Sequence, residues 1–249
     1  MKMNRRPLAL IALAIALAAL TAWLSPLALP AGYHDFADRR ALLGLPNASD
    51  VLSNIGFALA GILGLAELAR GRLAVERAAL PGYALFFASL VPTAIGSAWY
   101  HLAPGDARLF WDQLPIVLAL AGLLSATLAE ALRPQRGVVH TVLLSVLASL
   151  AVLHGRASGD LAPYVAIHLA LVVFVPLLQA LYPTPFRQRV SIWLAIAFYL
   201  VARACEIADL ALYDAFGLVS GHTLKHLFMS VAALAVWRGL PRRRRPVQH

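Results

Sequence analysis

Three histidines occur at the ends of long apolar segments of this chain. His101 closes one segment, and His222 and His226 open another. Each segment is long enough to cross a bilayer, where an ionisable side chain costs free energy and is a functional candidate by default. The spacing His222-Thr-Leu-Lys-His226 places two imidazoles one turn apart on a single helix face. We therefore predict that the three histidines bind one metal ion and leave a fourth coordination position open, as in catalytic zinc sites.

Two further polar residues accompany the histidines. Ser97 precedes His101 by one helical turn, and Asp112 lies in the first turn of the next apolar segment. Zinc lowers the pKa of bound water to about 7, and Asp112 is suited to accept the proton of that water as a general base. The Ser97 hydroxyl is suited to donate a hydrogen bond to a developing oxyanion. This combination predicts hydrolysis of an amide or ester whose carbonyl lies near the membrane surface.

The composition of the chain identifies the elements that must position these residues. Of the 249 residues, 61% are hydrophobic and 13% are charged, whereas soluble domains carry about 25% charged residues. We predict an all-α integral membrane protein, because about 20 apolar residues form a spanning helix. The single cysteine excludes an internal disulfide and a thiolate-rich metal site. The candidate spans are Leu8–Pro30, Val51–Leu68, Leu80–His101, Phe110–Leu132, Val138–His154, Ala162–Tyr182, Val190–Leu212 and His222–Leu240.

The basic residues indicate how the spans are oriented. They cluster before the first span and after the second, fourth, sixth and eighth, so the net charge of +9 reports membrane topology and not nucleic-acid binding. Both termini are predicted to be cytoplasmic. Segment 31–50 and the loops near Gly105, Gly159 and Gly217 are then outside, together with all five candidate site residues. The alanine- and arginine-rich composition is typical of a bacterial protein, which makes this the periplasmic side of an inner membrane.

The spans divide into an added helix and a core. Residues 1–32 are predicted to form an N-terminal transmembrane helix, residues 33–240 a seven-helix catalytic domain, and residues 241–249 a basic cytoplasmic tail. The first span follows a basic start and ends near Leu29-Pro30-Ala31, which loosely resembles a signal-peptide cleavage site. The apolar region of a signal peptide is about 7–15 residues long. This span is longer, which favours a retained helix over a cleaved one.

Several other polar residues of the spans are interpreted as structural. Arg203, Glu206 and Asp209 recur at a spacing of three, which favours an internal ion pair that neutralises the arginine. Lys225 lies between the paired histidines and is assigned to another helix face. His168 lies in the middle of the sixth span with no partner that the sequence reveals.

The combination of motifs resembles the alkaline ceramidase family, part of a superfamily of membrane hydrolases that includes the adiponectin-type receptors. The resemblance covers roughly residues 33–240, and its specificity lies in the order of the motifs along the chain. The segment from Pro46 to Asn54 resembles the stretch that opens the first core helix of the family. The other matching motifs are Ser97-Ala-Trp-Tyr-His101, then Asp112, then His222-Thr-Leu-Lys-His226.

The resemblance implies a seven-helix core and a zinc-dependent amidase that cleaves ceramide, or a related N-acyl lipid, to a sphingoid base and a fatty acid. Carried over by position, His101, His222 and His226 are the zinc ligands, and Ser97 and Asp112 are the catalytic residues. The partners it implies are a membrane lipid substrate and the bilayer. The first helix lies outside the family core.

The eukaryotic members of that family also bind calcium through an acidic N-terminal segment. Asp35 and Asp38 match acidic positions of that segment, and Asn47 stands where a glutamate is expected. Arg40 lies near a position that has a neutral ligand in the family. A guanidinium there opposes a second cation, so the sequence argues against calcium while naming the residues that would hold it.

Other functions stay open at this level. A receptor-like or non-catalytic member of the superfamily would hold a structural zinc, although an open fourth position argues against that role. A haem-binding electron carrier also uses paired histidines, but two rings on one helix face cannot take opposite axial positions. The substrate could also be a different acyl lipid, since a fold-level resemblance does not determine it. The oligomeric state is not determined by the sequence.

Overall fold

The computed structural model describes residues 5–132 and 137–242 and shows a helical bundle. Within these ranges there is no strand, apart from two isolated bridges. The helices, in chain order, are α1 (Arg5–Leu24), α2 (Ala48–Leu52), α3 (Ile55–Ala69), α4 (Leu80–Leu102), α5 (Asp106–Leu132), α6 (Gly137–Ser158), α7 (Ala162–Leu181), α8 (Phe186–Ile207), α9 (Asp209–Phe216) and α10 (Gly221–Gly239). A 3₁₀ turn, Arg77–Ala79, precedes α4.

The prediction of an all-α membrane protein is confirmed. In the described part of the chain, 7 helices are long and apolar enough to cross a membrane, and they comprise α1, α2 with α3, and α4 to α8. The eighth predicted span forms α10, which does not reach that level. Its 19 residues include Lys225 and Arg238 besides the two histidines, and these polar side chains lower its hydropathy. It nevertheless packs against α8 and α3 inside the bundle.

Most boundaries shift by a few residues, and three of the predicted spans differ from the helices in a way that matters for the fold. The first ends at Leu24 and not at Pro30, because the prolines that follow lack the backbone N–H that a helix requires. The second is divided into α2 and α3 at residues 53–54. The seventh is interrupted after Ile207, so that α9 forms a separate short helix.

The ends of the helices form two layers, and the candidate site lies in one of them. The Leu161 N–H donates to the Leu27 carbonyl at 2.7 Å, and Arg40 donates to the Leu218 carbonyl at 2.6 Å. These contacts join the α1–α2, α6–α7 and α9–α10 connections at one end. The α3–α4 connection meets the chain after α10 at the opposite end, where Leu73 pairs with Arg242. The predicted grouping of the loops into two layers therefore agrees with the structure, and the assignment of each layer to a membrane side stays a prediction.

Close packing of α4 against α5 sets the centre of the bundle. A Cβ placed on Gly82 would lie 2.5 Å from the Ala126 nitrogen, and one on Gly122 would lie 2.6 Å from the Phe86 nitrogen. Small residues allow helix backbones to approach this closely in membranes. Helix α1 contributes no buried residue and packs against α7. Its assignment as an addition to a seven-helix core stays a prediction.

Candidate metal centre and adjoining cavity

The three predicted histidine ligands lie together at the end of the bundle. In the described ranges they form the one group of at least three His, Cys, Asp or Glu side chains close enough to hold a metal ion, with ligand atoms within 4.8 Å of one another. The Nε2 atoms of His101 and His222 are 3.2 Å apart. A tetrahedral zinc site with bonds of 2.0–2.1 Å has nitrogen–nitrogen separations of about 3.3 Å. The donor set therefore fits zinc, whereas the geometry does not identify which metal binds.

The start of α10 is held in place by two side chains. Ser220 is its N-cap and accepts a hydrogen bond from the Thr223 N–H at 3.0 Å. Asp209 accepts one from the His222 N–H at 2.7 Å. A Cβ on Gly221 would overlap the carbonyl of Cys205, so glycine allows α10 to begin directly against the end of α8. These contacts determine where His222 enters the site.

Ser53, directly after α2, orients the His226 ring together with the Asp50 carbonyl of α2. The Ser53 Oγ lies 2.8 Å from the His226 Nδ1 and donates to the Asp50 carbonyl at 3.0 Å. A hydroxyl has one proton, so Ser53 accepts from the Nδ1–H of His226. The imidazole therefore keeps its Nε2 lone pair free for a metal, as the outer partners of metal-bound histidines commonly ensure. This role of Ser53 was not predicted from the sequence, although Ser53 lies in the segment from Pro46 to Asn54 that carries part of the resemblance.

The N-terminal loop closes the site from the opposite direction. The Phe36 ring lies 4.6 Å from the His101 ring and 4.3 Å from the His222 ring, measured between centroids. The Asn47 Nδ2 donates to the His101 carbonyl at 2.7 Å and so caps the end of α4. Phe36 was not anticipated from the sequence, because an aromatic residue in a loop gives no signal of the helix ends that it will contact.

The proposed calcium residues are engaged with protein groups. Asp35 pairs with Arg39 at 2.9 Å, and Asn47 bonds the α4 terminus. Asp38 is buried and accepts two hydrogen bonds of 2.8 Å from the Arg40 guanidinium. These hydrogen bonds hold the pKa of Asp38 below its ordinary value. The arginine thus neutralises the carboxylate that would bind a cation, and calcium at these positions stays a prediction that the structure does not favour.

Two sequence interpretations near the histidines are wrong in detail. Lys225 was assigned to another helix face, but its Nζ lies 3.0 Å from the His222 Nε2 and 3.0 Å from a Glu206 oxygen. It follows His222 by three residues, a spacing that makes two side chains neighbours on a helix. Glu206 does form the expected ion pair with Arg203. Asp209, by contrast, is not part of that pair and accepts from the backbone of Ala37 at 2.9 Å and of His222.

Ser97 and Asp112 meet where α4 and α5 cross. A Cβ on Gly96 would overlap the Trp111 carbonyl, so the glycine brings the two helices into backbone contact. The next residue on each helix is a candidate catalytic residue, and the Ser97 hydroxyl lies against the buried Asp112 carboxyl. Ser97 also precedes His101 by one turn of α4, so this contact lies next to the histidine group.

A cavity of about 320 Å³ extends from this region into the bundle. Ser97, Asp112 and His226 line it, so one histidine of the group and the two polar residues face one space. The deeper lining is apolar and comes from α4, α5, α7, α8 and α10. Helices α7 and α8 scarcely touch, and both line the cavity. The volume lies in the range of about 300–1,000 Å³ that small-molecule sites occupy.

The chain after α1 forms a strap beside the cavity. Leu27 and Pro30 line it, and Asp160 anchors the strap by accepting hydrogen bonds from the Leu27 N–H at 2.8 Å and from the Ser25 hydroxyl. The backbone donor of Leu27 and the Ser25 hydroxyl are the main reason that the pKa of Asp160 lies well below its ordinary range. Residues 1–32 were predicted to form a helix outside the core, and no sequence pattern indicates that Leu27 and Pro30 reach the cavity.

Comparison with known proteins adds no relationship to these observations. No model of a known protein family, no curated protein and no solved structure matches this chain. The chemistry therefore has to be inferred from the residues and their geometry.

Proposed function

We propose that this protein is a zinc-dependent hydrolase that cleaves the amide of a membrane N-acyl lipid, with ceramide or a related lipid as substrate. One observation carries the proposal: His226, Ser97 and Asp112 line a single, mainly apolar cavity next to three clustered histidines. An apolar cavity suits an acyl chain. A polar end suits the carbonyl that is attacked. The family resemblance of the motifs supports an amide as the bond.

Each polar residue of the site has a separate role in the reaction. A zinc ion held by His101, His222 and His226 would supply a Lewis acid and lower the pKa of a water molecule to about 7. Asp112 accepts a proton from the attacking water and passes it to the leaving nitrogen as the carbon–nitrogen bond breaks. Ser97 donates a hydrogen bond to the carbonyl oxygen while that oxygen gains negative charge. The products are a fatty acid and an amine.

Metal content tests the ligand assignment. Purified protein is expected to contain about one zinc per chain by elemental mass spectrometry, and EDTA is expected to abolish hydrolysis of N-acyl lipids in detergent. His226→Ala should lose metal and activity while its helical circular dichroism is kept. His140→Ala is the matched control, because His140 lies in the first turn of α6, at the opposite end of the bundle. Metal-free protein with EDTA-insensitive hydrolysis would contradict the proposal.

Asp112→Asn separates binding of the metal from catalysis. The amide cannot act as a base, so kcat is expected to fall about 10²- to 10⁴-fold while the zinc content stays unchanged. Full zinc occupancy with no hydrolysis of any N-acyl lipid by the unaltered protein would instead favour a non-catalytic, receptor-like role. A comparison of the lipids of cells with and without the protein would then identify what accumulates.

A further inference from the structure

One wall of the cavity is charged, in contrast to the apolar remainder. Helix α8 contributes Tyr199, Arg203 and Glu206, whose spacings of four and three place them on one face. The Tyr199 hydroxyl lies 2.8 Å from the Nδ1 of His168 on α7, and Lys225 joins from α10. All five side chains line the cavity. The charged wall, as we name this set, is unnecessary for an apolar acyl chain.

The charged wall carries more positive than negative charge. Arg203 and Lys225 both pair with Glu206, so two cations share one carboxylate. The side chains of Lys225 and Glu206 are 16% and 17% exposed, whereas that of Arg203 is 48% exposed, so the cost of an unmatched charge falls on Lys225. The other acidic residue of the lining, Asp112, lies against Ser97. A divalent cation bound by the histidines would more than offset the negative charge of Asp112.

The position of Lys225 shows where an additional acceptor is needed. Its ammonium has three N–H donors, and two of the groups in reach are Glu206 and the His222 Nε2. If His222 uses the Nε2 lone pair to bind a metal, that nitrogen no longer accepts from Lys225. The freed N–H then lies beside the metal centre, within the cavity, and is available to donate to an oxygen of the ligand.

We propose that Lys225, Arg203 and Glu206 form an anion subsite, and that the preferred substrate is an N-acyl lipid with a carboxylate or phosphate close to its amide. This inference rests on the proposed function, whose metal site and bond it shares. Glu206 positions the two cations, and Lys225 donates directly to the anionic oxygen. Tyr199 and His168 extend the polar wall towards α7.

Binding to matched ligands tests the subsite without requiring turnover. We would measure dissociation constants by calorimetry in a nonionic detergent, for both EDTA-treated and zinc-loaded protein. The ligands are N-lauroylglycine, which has a carboxylate beyond the amide, N-ethyldodecanamide, its neutral counterpart, and laurate, which represents the fatty-acid product. Charge-assisted hydrogen bonds predict that N-lauroylglycine binds about 10- to 100-fold more tightly than the neutral amide.

Single substitutions assign that preference to the charged wall. Lys225→Met and Arg203→Met each leave Glu206 one cation partner, and each is expected to reduce the preference about tenfold or more. Arg238→Met is the matched control, because it removes an exposed cation at the far end of the same helix as Lys225. Thermal unfolding verifies that each variant is folded, and Arg203→Met carries the test if Lys225→Met does not fold.

Each outcome bears on the inference by itself. Equal affinity for the charged and neutral amides would overturn it, as would a preference that persists in both methionine variants. Tight binding of laurate alone would show that the cations bind the fatty-acid product and not a substrate headgroup. If the preference is found but no zinc or hydrolysis is detected, the subsite stands and the proposed function fails. If zinc-dependent hydrolysis occurs without the preference, the proposed function stands and the anion subsite fails.

Discussion

Replacing Ser53 with alanine is expected to weaken metal binding although Ser53 is not itself a ligand. The Ser53 Oγ accepts from the His226 Nδ1 at 2.8 Å and donates to the Asp50 carbonyl at 3.0 Å. Without it, the Nδ1–H of a ring that is only 2% exposed loses the side-chain oxygen that accepts its proton, and the Asp50 carbonyl is the one other oxygen known to interact with it. An unpaired buried donor costs about 1–3 kcal/mol, and the ring can avoid that cost by moving its proton to Nε2, where it blocks the metal.

The expected loss follows from that cost. Because about 1.4 kcal/mol corresponds to a factor of ten, metal affinity should fall roughly 5- to 100-fold, in agreement with other outer partners of metal-bound histidines. Zinc affinity is measured by competition with a coloured chelator. Ser145→Ala is the matched control, since that hydroxyl donates to the Thr141 carbonyl of its own helix at 2.6 Å. Unchanged affinity in folded Ser53→Ala, or an equal loss in the control, would refute the assigned tautomer.

Two further substitutions test how the site is built. Gly96→Ala should lower the unfolding free energy by about 1–3 kcal/mol and reduce activity, because its methyl group would overlap the Trp111 carbonyl; Gly105→Ala, where a Cβ meets nothing within 4 Å, should show neither effect in thermal unfolding and activity assays. Arg40→Met should lower stability most at neutral pH. Arg40 lowers the folded-state pKa of Asp38, so its contribution is present above the ordinary carboxyl pKa of about 4 and disappears as the pH falls through the lowered value. A difference in melting temperature from the unaltered protein that grows towards acidic pH would contradict that account.

The sequence was informative wherever a short-range spacing or a composition carries the signal. The paired histidines of α10 lie one turn apart in any helix that contains them, and Ser97 and His101 share a face for the same reason. Apolar length alone predicted the membrane-spanning helices. It also predicted that α10 is apolar enough to span a membrane, which is wrong because the polar residues that form the site reduce the hydropathy of that helix.

Contacts between distant segments could not be read in the same way. The partnership of Ser53 with His226 joins residues 173 positions apart, and no local pattern indicates it. Lys225 was assigned to another helix face, although its spacing of three from His222 makes the two side chains neighbours, so that contact could have been predicted. Its ion pair with Glu206 could not, because Glu206 lies on another helix.

Hydropathy, charge asymmetry and helical spacing are properties of neighbouring residues, so they were enough to predict the class of structure, the three metal-binding candidates and the layer that holds them. The convergence of the three imidazoles, the contact of Ser53 with one of them and the charged wall of the cavity become visible in the folded bundle alone. Coordination and hydrogen bonding depend on distances of a few ångströms between helices. Those distances are set by close approaches such as the one at Gly96, which only the packed bundle defines.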